Sequence, residues 1–537
     1  MQPVLNVEDI KQVEVALTRE GVSVSELMHR AGCAAAQEAI ELGDVDEVVV
    51  LCGLGNNGGD GWVAAEALHS RNSHVTVVTP VEPDEISGDL ARQVARSAVA
   101  SGVETMVGPA RDELEGLLAT ADVVLDCMLG TGFHGEVRAP FDIWIECLNG
   151  SGARVVSVDV PSGLSAQTGH AEGACVVADI TITMLALKPG LLSDDGRDVC
   201  GAIVVAPLAE QTARLVVEAD PVAWRTDLTD YLEVLPAQTA AQDKFSRGSV
   251  LVVGGSRRYP GAAIMAARAA ARMGAGYVTL AVPASVAPIA QMHLLEVPVV
   301  PLPEDADGTL TQEGKEVVQK LAKSSSAVLV GPGMRVTAGT VALVSALLVM
   351  DVPLVVDADG LNCLARLTNG NLPSFPEATR REAPLILTPH RRELGRLVGL
   401  AGNPPASLVD QLDAARRIVW ADGGSEIVVV AKSCASAAVG VSQAVLPKPG
   451  PAALATAGSG DVLAGMMASA LAQAAGEEVD PVLLAAYVCE IHGYAGTLAA
   501  ERVGSRAVMA TDVIDVIGFA SDAVAQHVSL PEDGQEA

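Results

Sequence analysis

Residues 46–61 read D-E-V-V-V-L-C-G-L-G-N-N-G-G-D-G, an apolar run that leads directly into a glycine-rich loop. A short run of β-branched residues that ends in glycine is typical of a buried strand followed by a tight turn. The loop is neither a clean G-x-G-x-x-G dinucleotide loop nor a P-loop, because no lysine with serine or threonine ends it. We therefore predict a strand-turn-helix unit in which Asn56, Asn57 and Asp60 meet a ligand close to the main chain.

The first half of the chain repeats this pattern of short Val- and Ile-rich runs separated by stretches of helical period. Strands are predicted at 46–52, 74–79, 121–127, 154–159 and 179–185. Helices are predicted at 8–20, 23–42, 60–71 and 87–101. This alternation predicts a parallel, doubly wound sheet with helices on both faces.

The pattern breaks within 206–247 and then starts again, so the sequence predicts two domains, 1–220 and 230–530. A chain of 537 residues is also too long for one ordinary domain. In the second half, strands are predicted at 248–253, 277–282, 297–300, 327–330, 353–357, 384–388 and 426–431. The last third is predicted to be helical, at 459–475, 480–501 and 511–526.

The charge and composition argue against several classes of function. The formal net charge is −31 and only 3% of the residues are aromatic, whereas nucleic-acid binding favours a basic face and stacking aromatic rings. The same charge disfavours an anionic membrane surface, and no signal peptide or transmembrane helix is evident. Nine scattered cysteines without a C-x-x-C motif are typical of reduced core cysteines. We therefore predict a cytoplasmic protein that binds small molecules and neither nucleic acid nor membranes.

The strands of the first half end in chemically specific residues. The later ones lead into M-L-G-T-G-F-H-G-E-V-R at 128–138, D-V-P-S-G-L at 159–164 and L-K-P-G at 187–190. Taken singly, each motif also fits a tight turn or a buried structural carboxylate. The carboxyl ends of parallel strands meet at one edge of the sheet, however, where ligands bind. Together the motifs therefore predict a binding site.

The residue types in this predicted site suit a polyanionic nucleotide. Glycine-rich turns expose backbone N–H groups that can hold phosphates. Asn57, Asp126 and Ser162 offer oxygen ligands for a monovalent cation, and Asp60 and Asp159 are carboxylates that face the ligand.

This series of motifs resembles the NAD(P)H-hydrate epimerase family over residues 5–215. That family interconverts the R and S forms of NADHX and NADPHX, cofactors that are hydrated on the nicotinamide ring. The resemblance implies that Asp159 is the acid/base at the hydrated carbon and that Asn57, Asp126 and Ser162 hold a potassium ion. It also implies that the substrate is bound by Asn56, Asn57, Gly58, Gly59, Asp60, Gly130, Thr131, Gly132, Phe133, His134, Gly135, Glu136 and Asp159.

The most informative motif of the second half is G-S-G-D at 458–461, which opens an Ala-rich helix. The first turn of a helix presents free N–H groups and a positive dipole end to an anion. Asp461 would take a proton from a hydroxyl as that oxygen attacks phosphorus. Alone, the motif fits an ordinary acidic helix N-terminus equally well.

The other loops are 254–263 (G-G-S-R-R-Y-P-G-A-A), 331–335 (G-P-G-M-R), 357–362 (D-A-D-G-L-N), 388–393 (T-P-H-R-R-E) and 431–436 (A-K-S-C-A-S).

The late G-S-G-D followed by long helices resembles the ribokinase-like fold, and the series resembles the ADP-dependent NAD(P)H-hydrate dehydratase family over 235–525. That reaction phosphorylates the ring hydroxyl of S-NAD(P)HX and eliminates phosphate, giving NAD(P)H and AMP. The resemblance implies that Asp461 is the base and that Glu393, on one helical face with His390, organises Mg²⁺ through water. The implied substrate contacts are Ala262, Arg335, His390 and Asp461. The implied ADP contacts are Lys432, Ser433, Cys434, Ala435, Ser436 and Gly460.

Two motifs depart from the family patterns. Arg335 replaces the last glycine of G-P-G-x-G, and K-S-C-A-S, beginning at Lys432, replaces K-G-x-x-T. The sequence does not separate ADP from ATP as the co-substrate, nor NADHX from NADPHX.

The sequence thus predicts a fused cofactor-repair enzyme. Its fold is an N-terminal Rossmann-like three-layer α/β/α domain followed by a C-terminal ribokinase-like α/β domain. The alternative is a ribokinase-like small-molecule kinase with an N-terminal ligand-sensing or interaction module. Related folds assemble, so a homo-oligomer is expected, although the sequence fixes no number of subunits.

Overall fold

The chain forms two compact units. The computed structural model describes residues 1–43, 45–231, 234–236, 239, 241–371, 381–420 and 426–526. Contacts between Cα atoms define a first unit, Gln2–Ala223, and a second unit, Trp224–Ala406 with Asp410–Ala537. The functional domain bounds of 1–220 and 230–530 stay a prediction, and positions 527–530 lie outside the described residues.

The first unit is built on a parallel sheet. Its strands are β1 (Gln2–Val4), β2 (Glu47–Cys52), β3 (His74–Thr79), β4 (Glu104–Val107), β5 (Val123–Cys127), β6 (Arg154–Val158), β7 (Ile180–Met184) and β8 (Ala202–Ala206). Its helices are α1 (Val7–Arg19), α2 (Val24–Leu42), α3 (Asn56–His69), α4 (Asp89–Ala100), α5 (Arg111–Leu118), α6 (Phe141–Ser151), α7 (Gly196–Val199) and α8 (Thr212–Glu218). Seven strands pair in parallel in the order β4-β3-β2-β5-β6-β7-β8. The strand order therefore reverses between β2 and β5.

Helices cover both faces of this sheet, because both faces of its strands are apolar. Val48 and Val50 of β2 pack with residues of α2, α3 and α4, whereas Val49 and Leu51 pack with α5 and α6. Strands that are buried on both faces read as continuous apolar runs, as β2 does. The predicted three-layer α/β/α arrangement is confirmed.

The second unit contains a larger, mostly parallel sheet. Its strands are β9 (Ala223–Arg225), β10 (Ser249–Val253), β11 (Tyr277–Pro283), β12 (Val299–Leu302), β13 (Ala327–Val330), β14 (Leu354–Val356), β15 (Leu385–Leu387), β16 (Ile427–Ala431), β17 (Ala437–Val439) and β18 (Ala444–Leu446). Strands β12-β11-β10-β13-β14-β15-β16 pair in parallel in that order. The strand order reverses between β10 and β13. At the far end, β17 pairs antiparallel with β16 and with β18.

The helices of this unit are α9 (Pro260–Arg272), α10 (Ala287–His293), α11 (Lys315–Lys323), α12 (Ala338–Leu348), α13 (Asp359–Leu367), α14 (Arg391–Leu397), α15 (Leu408–Val419), α16 (Ser459–Gln473), α17 (Pro481–Val503) and α18 (Ala510–Ala525). Helices α9, α16, α17 and α18 form the main core with one face of the sheet. By length and composition α17 could cross a membrane, but 78% of its apolar window is buried inside the structure. Its packing is therefore that of a core helix.

The predicted strands and helices correspond to observed elements, with some differences. The helix predicted at 60–71 begins at Asn56, because the glycine-rich loop itself forms the first turn of α3. Intrinsic propensity places glycine outside helices, and tertiary packing overrides it here. Strands β4, β8, β17 and β18 were not predicted; they have three to five residues each, too few for a clear periodicity.

Candidate active sites

A cavity of about 810 Å³ lies in the first unit, at the carboxyl ends of β2 and β5 where the strand order reverses. Open α/β sheets bind ligands at such a position. Most of its wall comes from α1 and from the loops that follow β2 and β5. The lining residues are Ile10, Lys11, Glu14, Leu54, Gly55, Asn56, Asn57, Asp60, Met128, Leu129, Gly130, Thr131, Gly132, Phe133, His134, Phe141, Asp159 and Met184.

The predicted substrate-binding residues divide into two groups. Those that line the cavity are Asn56, Asn57, Asp60, Gly130, Thr131, Gly132, Phe133, His134 and Asp159. Gly58 and Gly59 are instead buried in the first turn of α3. A Cβ on Gly58 would lie 2.0 Å from the Gly53 carbonyl oxygen, and one on Gly59 would lie 2.6 Å from Met28 Cε. These glycines therefore let α3 pack on its own loop and on α2. Gly135 and Glu136 are not among the described lining residues.

Asp126, at the end of β5, ties together the loops predicted to hold a cation. Its Oδ2 accepts hydrogen bonds from the Ser162 backbone N–H at 2.8 Å and from Ser157 Oγ at 2.9 Å. Its Oδ1 accepts one from Ser162 Oγ at 2.5 Å. Burial raises the pKa of Asp126, although these hydrogen bonds oppose the shift.

The side-chain amide of Asn57 is buried, and neither Oδ1 nor Nδ2 has a hydrogen-bond partner among the described residues. Leaving a buried amide unpaired costs free energy. An amide oxygen without a partner is a donor type that a monovalent cation takes, and Asn57 supplies it in the cavity wall. Asp126 and Ser162 are not among the described lining residues, and their side chains are hydrogen-bonded to each other.

Asp159 follows β6 and carries the negative charge of the cavity. Its φ of +71° is left-handed, which costs a residue with a side chain about 1–2 kcal/mol. Its Oδ1 accepts from Lys188 Nζ at 2.7 Å, and its Oδ2 accepts from the Thr131 backbone N–H at 3.1 Å. Burial alone would raise its pKa, but the charge and hydrogen bond of Lys188 and the Thr131 N–H outweigh burial and lower it. Asp159 is therefore ionised at neutral pH.

Lys188 lies in the L-K-P-G motif, yet the sequence analysis assigned it no role. Its side chain is fully buried, and its ammonium also donates to Thr183 Oγ1 at 2.6 Å and to the Met184 carbonyl at 3.0 Å. An ammonium has three donors, so Lys188 is fully paired. It holds the Asp159 carboxylate in place and in its charged form.

Two more carboxyl groups line the same cavity. Burial raises the pKa of Asp60 well above its ordinary value, and the charges of Asp159 and Glu14 add to this. Glu14 is exposed to solvent, but partial desolvation in the cavity wall raises its pKa, with a further contribution from Asp159 and smaller opposing ones from Lys188 and Lys11. Sequence reasoning missed Glu14, although its spacing of three from Lys11 places both on one polar face of α1.

A second cluster of charged residues lies in the second unit, at the carboxyl ends of β14, β15 and β16. Asp357 directly follows β14 and is buried. Its Oδ1 accepts from Lys432 Nζ at 2.8 Å and from Thr388 Oγ1 at 2.7 Å. A Cβ on Gly460 would lie 3.3 Å from Lys432 Nζ, so the N-terminus of α16 meets this ammonium. Lys432 and Gly460 are thus together, and sequence reasoning missed Asp357 as their neighbour.

Asp461 stands in the first turn of α16, beside this pair. Burial raises its pKa to about 7, the charge of Asp357 adds to the shift, and Lys432 opposes it. Burial likewise raises the pKa of Glu393 to about 7. A carboxyl group with a pKa near the working pH is suited to general acid/base chemistry.

His390 caps the N-terminus of α14, and Glu393 lies one turn further on, with 3.5 Å between His390 Nε2 and Glu393 Oε1. The His390 Nδ1 accepts from the backbone N–H groups of Arg392 and Glu393 at 3.1 and 3.3 Å. The Glu393 carboxylate in return accepts from the His390 N–H at 3.0 Å. This arrangement forms because the first turn of a helix has free N–H groups that need acceptors. Burial and the charge of Lys432 lower the pKa of His390, which keeps Nδ1 an acceptor.

Two other predicted substrate contacts, Ala262 and Arg335, follow β10 and β13, between which the strand order of this unit reverses. A Cβ on Gly333 would lie 3.0 Å from Ala262 Cβ, so the turn after β13 packs on α9. Arg335 has a φ of +60°, a conformation that favours the glycine of the family pattern. Its backbone N–H still donates to Asp359 Oδ2 at 2.8 Å. The departure at Arg335 therefore adds strain and keeps this hydrogen bond.

The stretch predicted to contact the nucleotide folds back on itself after Lys432. Ser433 Oγ donates to the Ala435 carbonyl at 2.8 Å and accepts from the Ala435 N–H at 3.2 Å. Ser436 Oγ donates to the Ser433 carbonyl at 3.3 Å, and Cys434 is exposed. In the described part of the chain, no group of three or more His, Cys, Asp or Glu side chains is placed to hold a metal ion. A magnesium ion here would need nucleotide oxygens among its ligands.

Two parallel α/β units, each with a carboxylate paired to a lysine at the carboxyl ends of its strands, define an enzyme with two active sites. The family model for NAD(P)H-hydrate dehydratase matches residues 250–518, and the model for the YjeF-related protein N-terminus matches residues 24–190. The chain belongs to the family of bifunctional NAD(P)H-hydrate repair enzymes.

Relatives with that name match most of the chain. The bifunctional NAD(P)H-hydrate repair enzyme Nnr of Salinibacter ruber is 36% identical over 507 residues, which are 90% of this chain and 89% of the relative. The enzyme of the same name from Thermofilum pendens is 35% identical and covers 93% of each chain. Among solved structures, the ADP/ATP-dependent NAD(P)H-hydrate dehydratase from Bacillus subtilis, co-crystallized with ATP/Mg²⁺, is 24% identical with a TM-score of 0.46. It covers 56% of this chain and 99% of that chain.

Proposed function

We propose that the first unit interconverts the R and S forms of NADHX and NADPHX, and that the second unit converts the S form to NAD(P)H at the expense of ADP. AMP and phosphate are the other products of the second reaction. The observation that carries this proposal is that each unit has its own carboxylate beside a lysine: Asp159 with the fully buried Lys188, and Asp461 near the partly buried Lys432. Membership of the family supports the assignment of one reaction to each unit.

In the first unit Asp159 acts as acid/base at the hydrated carbon. Inversion there requires the bond to the hydroxyl oxygen to break and to form again on the other face, with a proton transferred each time. Asp159, which Lys188 keeps ionised, is suited to accept that proton. The loops at 56–60 and 130–136 hold the rest of the substrate, with phosphates against the N–H groups of the first turn of α3.

Asn57, Asp126 and Ser162 hold a potassium ion in this proposal. The unpaired, buried amide of Asn57 supports it. A bound cation supplies positive charge for a pyrophosphate in a chain whose net charge is −31. Asp126 and Ser162 keep the surrounding loops in register through their mutual hydrogen bonds.

In the second unit Asp461 accepts the proton of the ring hydroxyl as that oxygen attacks the β-phosphorus of ADP. The bond from this phosphorus to AMP breaks, and AMP leaves. Phosphate then leaves the ring carbon in place of hydroxide, a far poorer leaving group, and the adjacent ring carbon loses a proton so that the C=C bond of NAD(P)H forms. A magnesium ion bound with the nucleotide would neutralise phosphate charge. The proposed contacts are Ala262, Arg335 and His390 for the substrate, and Lys432, Ser433, Cys434, Ala435, Ser436 and Gly460 for ADP.

Incubation of the purified chain with mixed NADHX epimers, with and without ADP, tests this proposal through the absorbance of reduced nicotinamide. We expect ADP-dependent recovery of both epimers. Asp461→Ala abolishes recovery and leaves epimerisation intact, whereas Asp159→Ala limits fast recovery to the S form. Asp413→Ala, at an exposed aspartate of the second unit, is the matched control. Recovery that survives Asp461→Ala contradicts the assignment, and a stable phosphorylated product in place of NADH indicates a small-molecule kinase.

A further inference from the structure

We propose that Glu14 is the second proton-transfer group of the epimerase site, acting with Asp159 on the hydroxylated carbon. The inference rests on the proposed epimerase function of the first unit. Glu14 lies on α1 and Asp159 follows β6, yet both line the same cavity. Glu14 precedes every motif of the first half, so no motif assigns it a role.

The chemistry of inversion requires more than one proton carrier. A hydroxyl group leaves one face of the carbon as water only if it receives a proton, and water adds to the other face only if it loses one. A single carboxylate on a rigid loop reaches one face. Asp159 is held rigidly by Lys188 and the Thr131 N–H, so a second group from another element is needed.

The surroundings of Glu14 distinguish it from Glu8 of α1 and from Glu20, which caps the C-terminus of α1. Glu8 forms a salt bridge with Lys11 at 3.7 Å, and Glu20 forms one with Arg214 at 2.5 Å. In the described part of the chain the Glu14 carboxyl group forms no salt bridge and no side-chain hydrogen bond. An unpaired carboxyl group in the wall of a cavity is free to meet a ligand.

The charged groups around Glu14 set its protonation. The acidic groups that interact with Glu14 are Asp159 and Asp60, and the basic groups are Lys188 and Lys11. Glu14 is exposed to solvent, so only partial desolvation in the cavity wall raises its pKa; the charge of Asp159 adds to this, whereas the two lysines oppose the shift without cancelling it. The pKa of Asp159 is lowered. The pKa of Glu14 is therefore raised, as an acid requires, and that of Asp159 is lowered, as a group that starts as the base requires.

The proton steps balance without any further reactant. Glu14 gives its proton to the ring hydroxyl, the C–O bond breaks to release water, and the lone pair of the ring nitrogen forms a C=N double bond. Water then adds to the other face, a new C–O bond forms and the nitrogen regains its lone pair, while the proton of that water goes to Asp159. Return of this proton from Asp159 to Glu14 through water closes the cycle. In the reverse direction the two carboxyl groups exchange roles.

The full-length variants Glu14→Gln and Glu14→Asp, with Glu8→Gln as the matched control, test this inference. The readouts are the rate of R/S interconversion above the spontaneous rate, followed by chromatography, and NADH formation from purified S-NADHX with ADP. We expect Glu14→Gln to lower kcat for interconversion about 10²- to 10⁴-fold with little change in KM. It should also remove the decline of the rate at high pH. Glu14→Asp should keep part of the rate, and Glu8→Gln should match the unchanged chain.

Glutamine is a good helix former, so Glu14→Gln should leave α1 intact, and NADH formation by the second unit reports on the integrity of each variant. A wild-type rate in Glu14→Gln, or an equal loss in Glu14→Gln and Glu8→Gln, overturns the role of Glu14. An unchanged chain that does not interconvert the epimers refutes instead the epimerase function on which the inference rests.

Discussion

Each proposed active site pairs a lysine with an aspartate, but the pKa values of the two proposed catalytic carboxylates shift in opposite directions. In the first unit Lys188 bonds directly to Asp159 and lowers its pKa. In the second unit Lys432 donates a hydrogen bond to Asp357, and the Asp357 carboxylate offsets most of the Lys432 charge. Asp461 therefore has a pKa of about 7. The position of one ammonium group thus decides whether the pKa of the neighbouring carboxylate is lowered or lies near neutral pH.

The pKa of Asp461 predicts how the dehydratase depends on pH. A general base must be ionised, and Asp461 is ionised only above about pH 7. We therefore expect NADH formation from S-NADHX at saturating ADP to rise as pH increases through about 7, and to fall about tenfold per unit well below it. Lys432→Met removes the charge that opposes the raised pKa, so the rising limb should move to higher pH. The measurement is kcat against pH for both chains.

Asp413→Asn serves as the control for this pH profile, because Asp413 is 67% exposed and remote from the motifs. Its midpoint should coincide with that of the unchanged chain. A midpoint that stays fixed in Lys432→Met would show that Asp461 is not the group that titrates.

At the scale of residues, motifs predicted the chemical groups but not their partners. Asp159 and Asp461 were predicted from loops whose residue types and order are specific. Asp159 and Lys188 are 29 residues apart in the sequence, and Asp357 and Lys432 are 75 residues apart. Such pairs depend on which strand ends become neighbours, and a single sequence does not contain that information.

Among the helices, the approach of α16 to α9 shows how small residues position the second site. A Cβ on Gly465 would lie 2.1 Å from the Ala266 carbonyl oxygen, closer than any van der Waals contact. Gly465 lies one turn after Asp461 on α16. The close packing of two helix backbones therefore fixes the start of α16, where the catalytic carboxylate stands.

Gly465→Ala tests this packing. The added methyl group has no space, so we expect the free energy of unfolding of the second unit to fall by about 1–3 kcal/mol. We also expect slower NADH formation, because α16 must shift. Gly518→Ala is the matched control in the interior of α18, where a Cβ would meet no atom within 4 Å. It should stabilise the unit by about 1 kcal/mol.

Urea unfolding of the full chain, followed through the transition of the second unit, measures both glycine variants. Equal effects of the two substitutions would show that helix propensity outweighs packing at Gly465.

Strands and helices were predicted well where the period was long and clear. The runs of valine in β2 and β16 and the Ala-rich helices α16 and α17 carry their structure in local sequence. The start of α3 was placed too late, because glycines that disfavour a helix locally are required by contacts with Met28 and Gly53. The short hairpin of β17 and β18 was missed, since three residues leave no pattern.

Each unit has its own hydrophobic core. The two large clusters of the first unit lie within residues 5–216, and the main cluster of the second unit lies within 231–524. Independent cores are the physical basis of separate domains. The break in the alternation of strands and helices within 206–247 is the sequence signal for two domains, and the bounds of 1–220 and 230–530 stay a prediction.

Separate expression of 1–223 and 224–537 tests the independence of the two units. We expect the first fragment to interconvert the epimers without ADP, and the second to convert only the S form. An equimolar mixture should recover both epimers at the rate of the intact chain when substrate is saturating. The measurement is NADH yield from mixed epimers with each fragment and with the mixture. A mixture that recovers only the S form would mean that the first fragment is inactive alone.

The complete burial of Lys188 has a chemical consequence for the first site. Acylating metabolites and sugar aldehydes modify amines that are unprotonated and within reach. The Lys188 amine is neither, because its side chain has no exposed surface and its three N–H groups donate hydrogen bonds to oxygens. A lysine at the mouth of the cavity, such as Lys11, would react first. The charge that governs Asp159 is therefore shielded from the same chemical damage that accumulates on surface lysines.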